Sequence, residues 1–191
     1  MATACKRLCC LKETNAMVNR VSPTVPANDY ELAGAGNEYL AELRNEFGQS
    51  TLLKIFDVAA IEILADYMQI YRVSAGKRLL KEGERSDFAL LILSGAVSVM
   101  KSHEDGSQHQ IAMVMPGRLI GEMSLIDGEP RFASCVAATN TLIAVLSRRS
   151  LLELLDEHPK LGSLLLMRLT ALVSHRLRLT SAKLVEKMAA A

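Results

Sequence analysis

The sequence contains no tryptophan, and aromatic residues make up only 4% of its 191 residues. Proteins that bind single-stranded nucleic acid use aromatic side chains as stacking platforms, and this chain has few of them. Basic and acidic residues nearly balance, 22 against 21, which leaves a net charge of +1. The concentrated positive surface of a protein that coats nucleic acid is therefore not expected.

Cysteine is also scarce, and its spacing argues against a disulfide framework or a zinc site. Cys5, Cys9 and Cys10 lie near the N-terminus, Cys135 is far from them, and no CxxC pair occurs. The sequence has neither a signal-peptide pattern nor the roughly 18 consecutive apolar residues of a membrane-spanning helix. A reducing, cytoplasmic location is expected. The N-terminal residues are expected to form a polar tail, with acylation of their cysteines as the alternative.

No residue pattern typical of an enzyme is present. The histidines form no His-x-His pair with a nearby carboxylate, as a metal-dependent enzyme on a small barrel would need; they are His103, His109, His158 and His175. Neither a Gly-x-Ser-x-Gly turn nor a phosphate-binding P-loop occurs. We therefore expect no catalytic residues, no metal ligands and no cofactor.

Apolar residues account for 50% of the chain, enough for a sizeable core. Residues 1–34 show no periodicity and are predicted to form a flexible leader. Residues 35–55 are predicted to form an N-terminal helical segment, because apolar residues fall at helical spacing from Asn37 to Phe47. The same spacing predicts a second helix from Asp57 to Met68.

The hydrophobic period then changes to that of short strands. Runs rich in leucine or β-branched residues alternate with glycine-containing turns, and these runs are Ile70–Val73, Arg78–Lys81, Ala89–Leu93, Ala96–Met100, Gln110–Met115 and Leu142–Leu146. This spacing favours an antiparallel sandwich or roll over a βαβ sheet, with Asp105-Gly106 at a hairpin tip. The predicted fold is α+β. The antiparallel sandwich or roll occupies residues 56–148 and is flanked by N-terminal helices and a long C-terminal helix.

Residues 149–191 are predicted to form the C-terminal helices. Ser150-Leu151-Leu152-Glu153 resembles a capping box that opens a short helix. The break at His158-Pro159 predicts that a long helix begins near Pro159 and continues to about Met188. Its apolar stripe consists of Leu165, Leu169, Leu172 and Leu179. The stripe either completes the domain core or packs on a partner helix, and a homodimer through this helix is expected.

The segment from residue 117 to residue 137 departs from the strand rhythm. Gly117 and Gly121 bracket three residues, and Met123–Leu125 is long enough for one helical turn. A glycine before such a turn exposes backbone N–H groups, which attract a phosphate. The segment is therefore a candidate anion site.

Two charged residues in this segment have complementary hydrogen-bonding capacities. Arg131 offers a planar fork of donors suited to a phosphodiester. Ionised Glu122 can only accept hydrogen bonds, so it suits a sugar hydroxyl. Taken alone, the two residues are more simply interpreted as a surface salt bridge. The neighbouring glycines favour a ligand that carries both an anion and a hydroxyl, such as a nucleotide.

Several motifs together resemble the cyclic nucleotide-binding domain, a family that includes the catabolite activator protein and the regulatory subunits of cyclic-AMP-dependent kinase. They are Gly76, Gly83, Ser94–Val97, Pro116-Gly117, Gly121–Leu125 and Pro130–Ala133. Gly-Glu followed at this distance by Arg-x-Ala is similar to the phosphate-binding cassette of the family. The resemblance covers about residues 55–185. It implies an eight-stranded, jelly-roll-like antiparallel β-roll (a double-stranded β-helix) flanked by helices, in agreement with the predicted strands.

The resemblance also implies roles for individual residues. It implies that Glu122 binds the ribose 2′-hydroxyl and that Arg131 binds the cyclic phosphate. Backbone contacts to the ligand are implied for Gly121, Met123 and Ser124.

The long C-terminal helix is similar to that of the bacterial activators in the family, in the stretch from Arg176 to Lys183. This similarity implies that Arg176 supports Glu122 and that Thr180 and Ser181 contact the adenine. For Ser181, the contact is expected to be made across a dimer. Only eight residues follow Lys183 in this sequence. No DNA-recognition helix fits there, so DNA binding is not expected.

Phe132 departs from the family pattern, since relatives often carry a small or hydroxyl-bearing residue after the arginine. Its backbone N–H is still expected to contact the ligand, while its bulk is expected to reshape the pocket. It offers no hydroxyl to favour cyclic GMP.

The expected function is that of a regulatory module that binds a cyclic nucleotide. The base contacts favour cyclic AMP, with cyclic GMP left open. The signal is expected to pass through the C-terminal helix to a paired subunit or to an unknown protein partner. The alternative is a degenerate cyclic-nucleotide-binding fold that acts as a ligand-independent scaffold or dimerisation protein.

Overall fold

A computed structural model describes residues 30–50, 53–103 and 105–189. The three N-terminal cysteines and most of the predicted leader lie outside the described residues. The helices are α1 (Leu40–Gln49), α2 (Val58–Asp66), α3 (Glu122–Asp127), α4 (Arg148–Glu157) and α5 (Pro159–Ala189). The strands are β1 (Glu31–Ala35), β2 (Gln69–Val73), β3 (Arg78–Leu80), β4 (Phe88–Ser94), β5 (Val97–Ser102), β6 (Gln108–Val114), β7 (Leu119–Ile120), β8 (Ser134–Ala137) and β9 (Thr141–Ser147).

The strands form two antiparallel sheets, which confirms the predicted roll. One sheet has the order β1-β2-β9-β4-β7 and the other has the order β3-β8-β5-β6. β5 and β6 form the predicted hairpin, with Gly106 in its turn at a φ of 81°. Helices flank the five-stranded sheet, so the fold consists of a roll with one helix-covered side.

Strand β4 lies at the centre of this arrangement because both of its faces are buried. Leu90 and Ile92 pack between the two sheets. Leu91 and Leu93 belong to a second apolar cluster, which joins the sheet to α1, α2, α4 and α5. Burial on both faces explains why this strand appears in the sequence as a continuous apolar run and not as an alternating one.

The predicted leader was wrong at its C-terminal end, because Glu31–Ala35 forms strand β1. This strand pairs with β2 at the edge of the five-stranded sheet, from Glu31 opposite Arg72 to Ala35 opposite Gln69. Its sequence contains two alanines and a glycine and shows no alternation of apolar and polar residues. Backbone hydrogen bonds to β2 hold this strand in the sheet. Because any residue can form such bonds, the strand has no hydrophobic pattern that would predict it from the sequence.

The predicted capping box at Ser150 was also wrong, because α4 begins earlier. Ser147 is the N-cap, and its side-chain oxygen accepts a hydrogen bond from the Ser150 backbone N–H at 3.0 Å. Glu153 instead accepts a hydrogen bond from Arg149 Nε at 2.9 Å. The predicted break is confirmed: α4 ends at Glu157 and α5 begins at Pro159.

The leucine stripe of α5 divides between two environments. Leu165, Leu169 and Leu172 are buried against the domain, whereas Leu179 is 51% exposed. The first three leucines therefore complete the core, and any contact with a partner helix has to involve other side chains. Within the described residues, no helix combines the length and apolar character needed to cross a membrane.

We predict that Leu169→Ala destabilises the fold by about 2–5 kcal/mol, because it leaves a cavity between α5 and the sheet. Met167→Ala on the same helix is the control, since Met167 is 68% exposed. Urea unfolding followed by circular dichroism gives both free energies. Equal values for the two variants would contradict the core role of Leu169.

Candidate functional site

The predicted anion-binding turn is a short helix between two glycines. α3 begins after Gly121 and ends before Gly128, and both glycines have a φ of 78°. A Cβ at Gly121 would lie 2.6 Å from Arg131 Nη1 and 3.1 Å from the Phe88 carbonyl oxygen. Glycine is therefore required at position 121 for two reasons: the backbone is left-handed there, and the arginine approaches too closely for a side chain to fit.

Glu122 is the first residue of α3 and is only 2% exposed. Its Oε1 accepts a hydrogen bond from Arg176 Nη1 of α5 at 2.5 Å. Arg176 Nη2 donates to the Leu119 carbonyl oxygen at 2.6 Å, so this arginine joins α5 to both α3 and β7. No described residue donates a hydrogen bond to Glu122 Oε2. The buried carboxylate thus has a charged partner and one oxygen with unused acceptor capacity.

Arg131 lies on the other side of Gly121, and only 4% of it is exposed. It donates from Nη1 to the Gly121 carbonyl oxygen at 2.8 Å and from Nη2 to that of Phe88 at 2.6 Å. Its Nε donates to Ser86 Oγ at 2.7 Å. Burial lowers the pKa of the guanidinium, which still keeps its charge near neutral pH. One N–H on each Nη has no partner among the described residues.

The simple interpretation of Glu122 and Arg131 as a surface salt bridge is wrong. Both residues are buried, and Glu122 forms its ion pair with Arg176. The charges of Glu122 and Arg131 still influence each other, since the carboxylate raises the pKa of the guanidinium against the effect of burial. The structure therefore brings a carboxylate and two guanidiniums together at the start of α3.

Phe132, directly after Arg131, has a side chain that is 60% exposed. Lys101 Nζ lies 4.2 Å from the centre of its ring and donates to the Phe132 carbonyl oxygen at 2.6 Å. The same ammonium group donates to Glu82 Oε1 at 2.6 Å, and this hydrogen bond is the main reason that the pKa of Glu82 is lowered. Lys101 thus contacts both the ring and the backbone of Phe132, and Glu82 holds Lys101 in place.

The remaining predicted ligand contacts lie on α3 and α5. Met123 is 44% exposed, whereas Ser124 is buried. Thr180 is exposed one turn beyond Arg176, and its hydroxyl donates to the Arg176 carbonyl oxygen at 3.0 Å. Ser181 is also exposed. In the described part of the chain, neither hydroxyl contacts the cassette residues 121–132.

Sequence reasoning missed four residues that shape the site. Ser86 and Phe88 hold Arg131, Lys101 holds Phe132, and Arg148 donates to the Ser124 carbonyl oxygen at 3.0 Å. Three of these contacts end on backbone carbonyl oxygens, which every residue has. No residue type in the sequence therefore marks them.

Over the described ranges, no group of three or more His, Cys, Asp or Glu side chains is placed to hold a metal ion. Cys135 is buried in β8, and burial raises the pKa of its thiol to about 12. This thiol is therefore protonated at neutral pH.

Comparison with known proteins relates the chain to one family. The family model described as "Cyclic nucleotide-binding domain" matches residues 71–158. The crystal structure of a cyclic nucleotide-binding domain from Methylobacillus flagellatus KT is 40% identical, with a TM-score of 0.75. The match covers 83% of this chain and 89% of that one.

Two curated relatives match over little more than half of their own length. The Cyclic AMP receptor protein of Thermus thermophilus is 33% identical over 118 residues, which make up 62% of this chain and 53% of the relative. The cAMP-activated global transcriptional regulator of Escherichia coli O6:H1 is 28% identical over 124 residues, 64% of this chain and 57% of the relative. The chain thus spans little more than half the length of the curated relatives it matches.

We predict that Gly121→Ala destabilises the protein by at least about 1 kcal/mol more than Gly76→Ala, because the new methyl group displaces the guanidinium of Arg131 from its acceptors. Gly76 is the matched control. It has a φ of 81°, and its added Cβ would meet no atom within 4 Å, so it carries only the backbone strain. Urea unfolding compares the two variants, and equal losses would mean that the contact with Arg131 is unimportant.

Proposed function

The chain belongs to the cyclic nucleotide-binding domain family, and we propose that it binds a cyclic nucleotide where α3 meets Arg131 and α5. The observation that carries this proposal is the pair of buried, opposite charges on either side of Gly121. Glu122 and Arg131 each have hydrogen-bonding capacity that no described residue uses. A ligand with an anionic group and a hydroxyl satisfies both.

The chemistry of the ligand follows from these unused capacities. The unused N–H groups of Arg131 and the first-turn amides of Met123 and Ser124 are donors suited to the cyclic phosphate. Glu122 Oε2 is an acceptor suited to the ribose 2′-hydroxyl. A carboxylate would repel a free phosphate, so the combination favours a nucleotide over an inorganic anion.

Cyclic AMP is the nucleotide that we favour. Thr180 and Ser181 lie one turn beyond Arg176 and provide hydroxyl groups for the base, while Phe132 provides none for guanine. The names of the Thermus and Escherichia relatives specify cyclic AMP, which supports the same choice. Cyclic GMP is the competing ligand for the experiment.

Regulation is the second part of the proposal. Arg176 connects Glu122 to the middle of α5, so a ligand that orders α3 also stabilises one position of α5. The ligand shifts the balance between two positions of that helix by its difference in affinity for them. A protein partner or a paired subunit that contacts α5 responds to the change in the position of this helix.

The direct test is calorimetric titration of protein freed of copurified ligand with cyclic AMP and with cyclic GMP. We predict that Arg131→Lys weakens cyclic AMP binding by about 1.5 kcal/mol or more, roughly tenfold, because lysine keeps the charge and loses the planar fork. Arg72→Lys is the control, since Arg72 is exposed on β2 and donates to the Tyr39 hydroxyl.

Two outcomes would count against nucleotide binding as described. Absence of heat with either nucleotide would favour the ligand-independent scaffold. An unchanged dissociation constant in Arg131→Lys would mean that the phosphate lies elsewhere.

We also propose that two copies of the chain associate through the distal half of α5. Leu177 and Leu184 are exposed by 66% and 59%, are seven residues apart, and are followed by Met188 at 71%. A seven-residue spacing of apolar side chains is typical of paired helices. Ser181 lies between them on the same face, so pairing would bring it to the interface.

We predict that replacing Leu177 and Leu184 with Asp converts a dimer into monomers, because the charges cannot be buried between helices. Leu152→Asp on α4 is the control, at a side chain that is 59% exposed. Sedimentation velocity gives the mass. If the double variant keeps the wild-type mass, the interface lies elsewhere.

A further inference from the structure

The short helix α3 is held at both ends by arginines of the C-terminal helices. At its first residue, Arg176 of α5 binds Glu122. Near its end, Arg148, the first residue of α4, donates from Nη2 to the Ser124 carbonyl oxygen at 3.0 Å. The same oxygen accepts the Gly128 backbone N–H at 3.0 Å, so the arginine completes the C-terminal cap of the helix.

The guanidinium of Arg148 packs against Gly128, the C-cap residue of α3. A Cβ at Gly128 would lie 3.2 Å from Arg148 Nη2 and 3.3 Å from Nη1, so the guanidinium lies directly against the capping glycine. Its Nε is buried and has no hydrogen-bond partner among the described residues. The hydrogen bond to Ser124 therefore offsets much of the cost of burying this group.

Arg148 is also fixed through its backbone. Its N–H donates to the Asp87 carbonyl oxygen at 2.7 Å, just before β4. The residue thus joins α4, the start of β4 and the end of α3. A displacement of α3 therefore changes the contacts that hold the start of α4.

We propose that Arg148 is a positioning residue that sets the orientation of α3 and couples nucleotide binding to α4. α3 has only six residues, too few to be stable alone, so its orientation depends on what holds its ends. If only Arg176 held α3, the helix could rotate about Glu122. Because Arg148 holds it as well, α3 has one orientation. Less of the binding free energy of the ligand is then needed to order the helix.

This inference rests on the proposed function, because it assigns Arg148 to the same site. It goes beyond that function because Arg148 contacts α3 through the Ser124 carbonyl oxygen, which is not one of the groups proposed to bind the ligand. It also assigns the signal a second route, through α4, beside the one through Arg176 and α5.

The test uses Arg148→Met, which removes the donors and keeps the bulk, and Arg148→Lys, which keeps the charge. Arg149→Met is the matched control, because Arg149 is exposed and pairs with Glu153 on α4. We expect Arg148→Met to weaken cyclic AMP binding about tenfold in calorimetry, the scale of one charge-assisted hydrogen bond. Arg148→Lys recovers part of the loss, and Arg149→Met matches the wild type.

The effect of the ligand on amide hydrogen exchange in α4 gives a readout that a purely structural role would not change. In the wild type, cyclic AMP should slow exchange in both α3 and α4; in Arg148→Met, the slowing should be confined to α3. Without ligand, Arg148→Met should speed exchange of the Gly128 amide, and Arg149→Met should not.

The outcomes separate this inference from the proposed function. A lower melting temperature for Arg148→Met with a wild-type dissociation constant would show a structural role only and overturn the inference. If the wild type binds neither nucleotide, the proposed function fails, and the role of Arg148 in nucleotide binding fails with it. The exchange of the Gly128 amide would then decide whether Arg148 still orders α3.

Discussion

The ion pair between Glu122 and Arg176 connects the parts of this molecule that matter for binding. A carboxylate removed from water is costly unless a charged partner and further hydrogen bonds compensate it. Arg176 provides that compensation from the middle of α5 and also binds the carbonyl oxygen of Leu119 on β7. The position of the long helix and the position of the carboxylate are therefore set together. Loss of Arg176 would leave the buried carboxylate of Glu122 without its charged partner.

Arg131 shows a second way of burying a charge. Its partners are two backbone carbonyl oxygens and the Ser86 hydroxyl, none of which is ionised. The guanidinium keeps a net charge inside the protein and is oriented before any ligand arrives. Groups that are fixed in advance spend less binding free energy on ordering, so an anion meets a site that is largely formed. The absence of a side chain at Gly121 is what allows the guanidinium to approach the backbone there.

Features carried by local sequence could be predicted. The β5–β6 hairpin, the break at His158-Pro159, the extent of α5 and the glycine that opens α3 all follow from residue types at fixed spacing. β1 could not be predicted, because its place at a sheet edge depends on backbone pairing with β2 and not on an apolar pattern.

The same limit applies to the site. The stripe on α5 was visible in the sequence, but its division into buried Leu165 and exposed Leu179 depends on where the roll ends beneath the helix. Glu122 and Arg131 stood out because of the glycines near them. Two of the three partners of Arg131, Ser86 and Phe88, lie more than forty positions away in the chain, and the contact of Arg148 ends on a carbonyl oxygen. Sequence patterns show which side chains are present. These contacts depend instead on which parts of the backbone the fold brings close to them.

The unequal anchoring of α5 along its length makes the long helix a lever. α5 has 31 residues, a length of about 46 Å, and its first half is anchored by leucines in the core. Arg176 lies near the end of that anchored half, and the arm beyond it extends about 20 Å to Ala189. A rotation of about 10° at Arg176 would swing the tip of this arm sideways by about 3 Å. A small rotation at the arginine that holds the carboxylate would thus become a displacement as large as a side-chain contact.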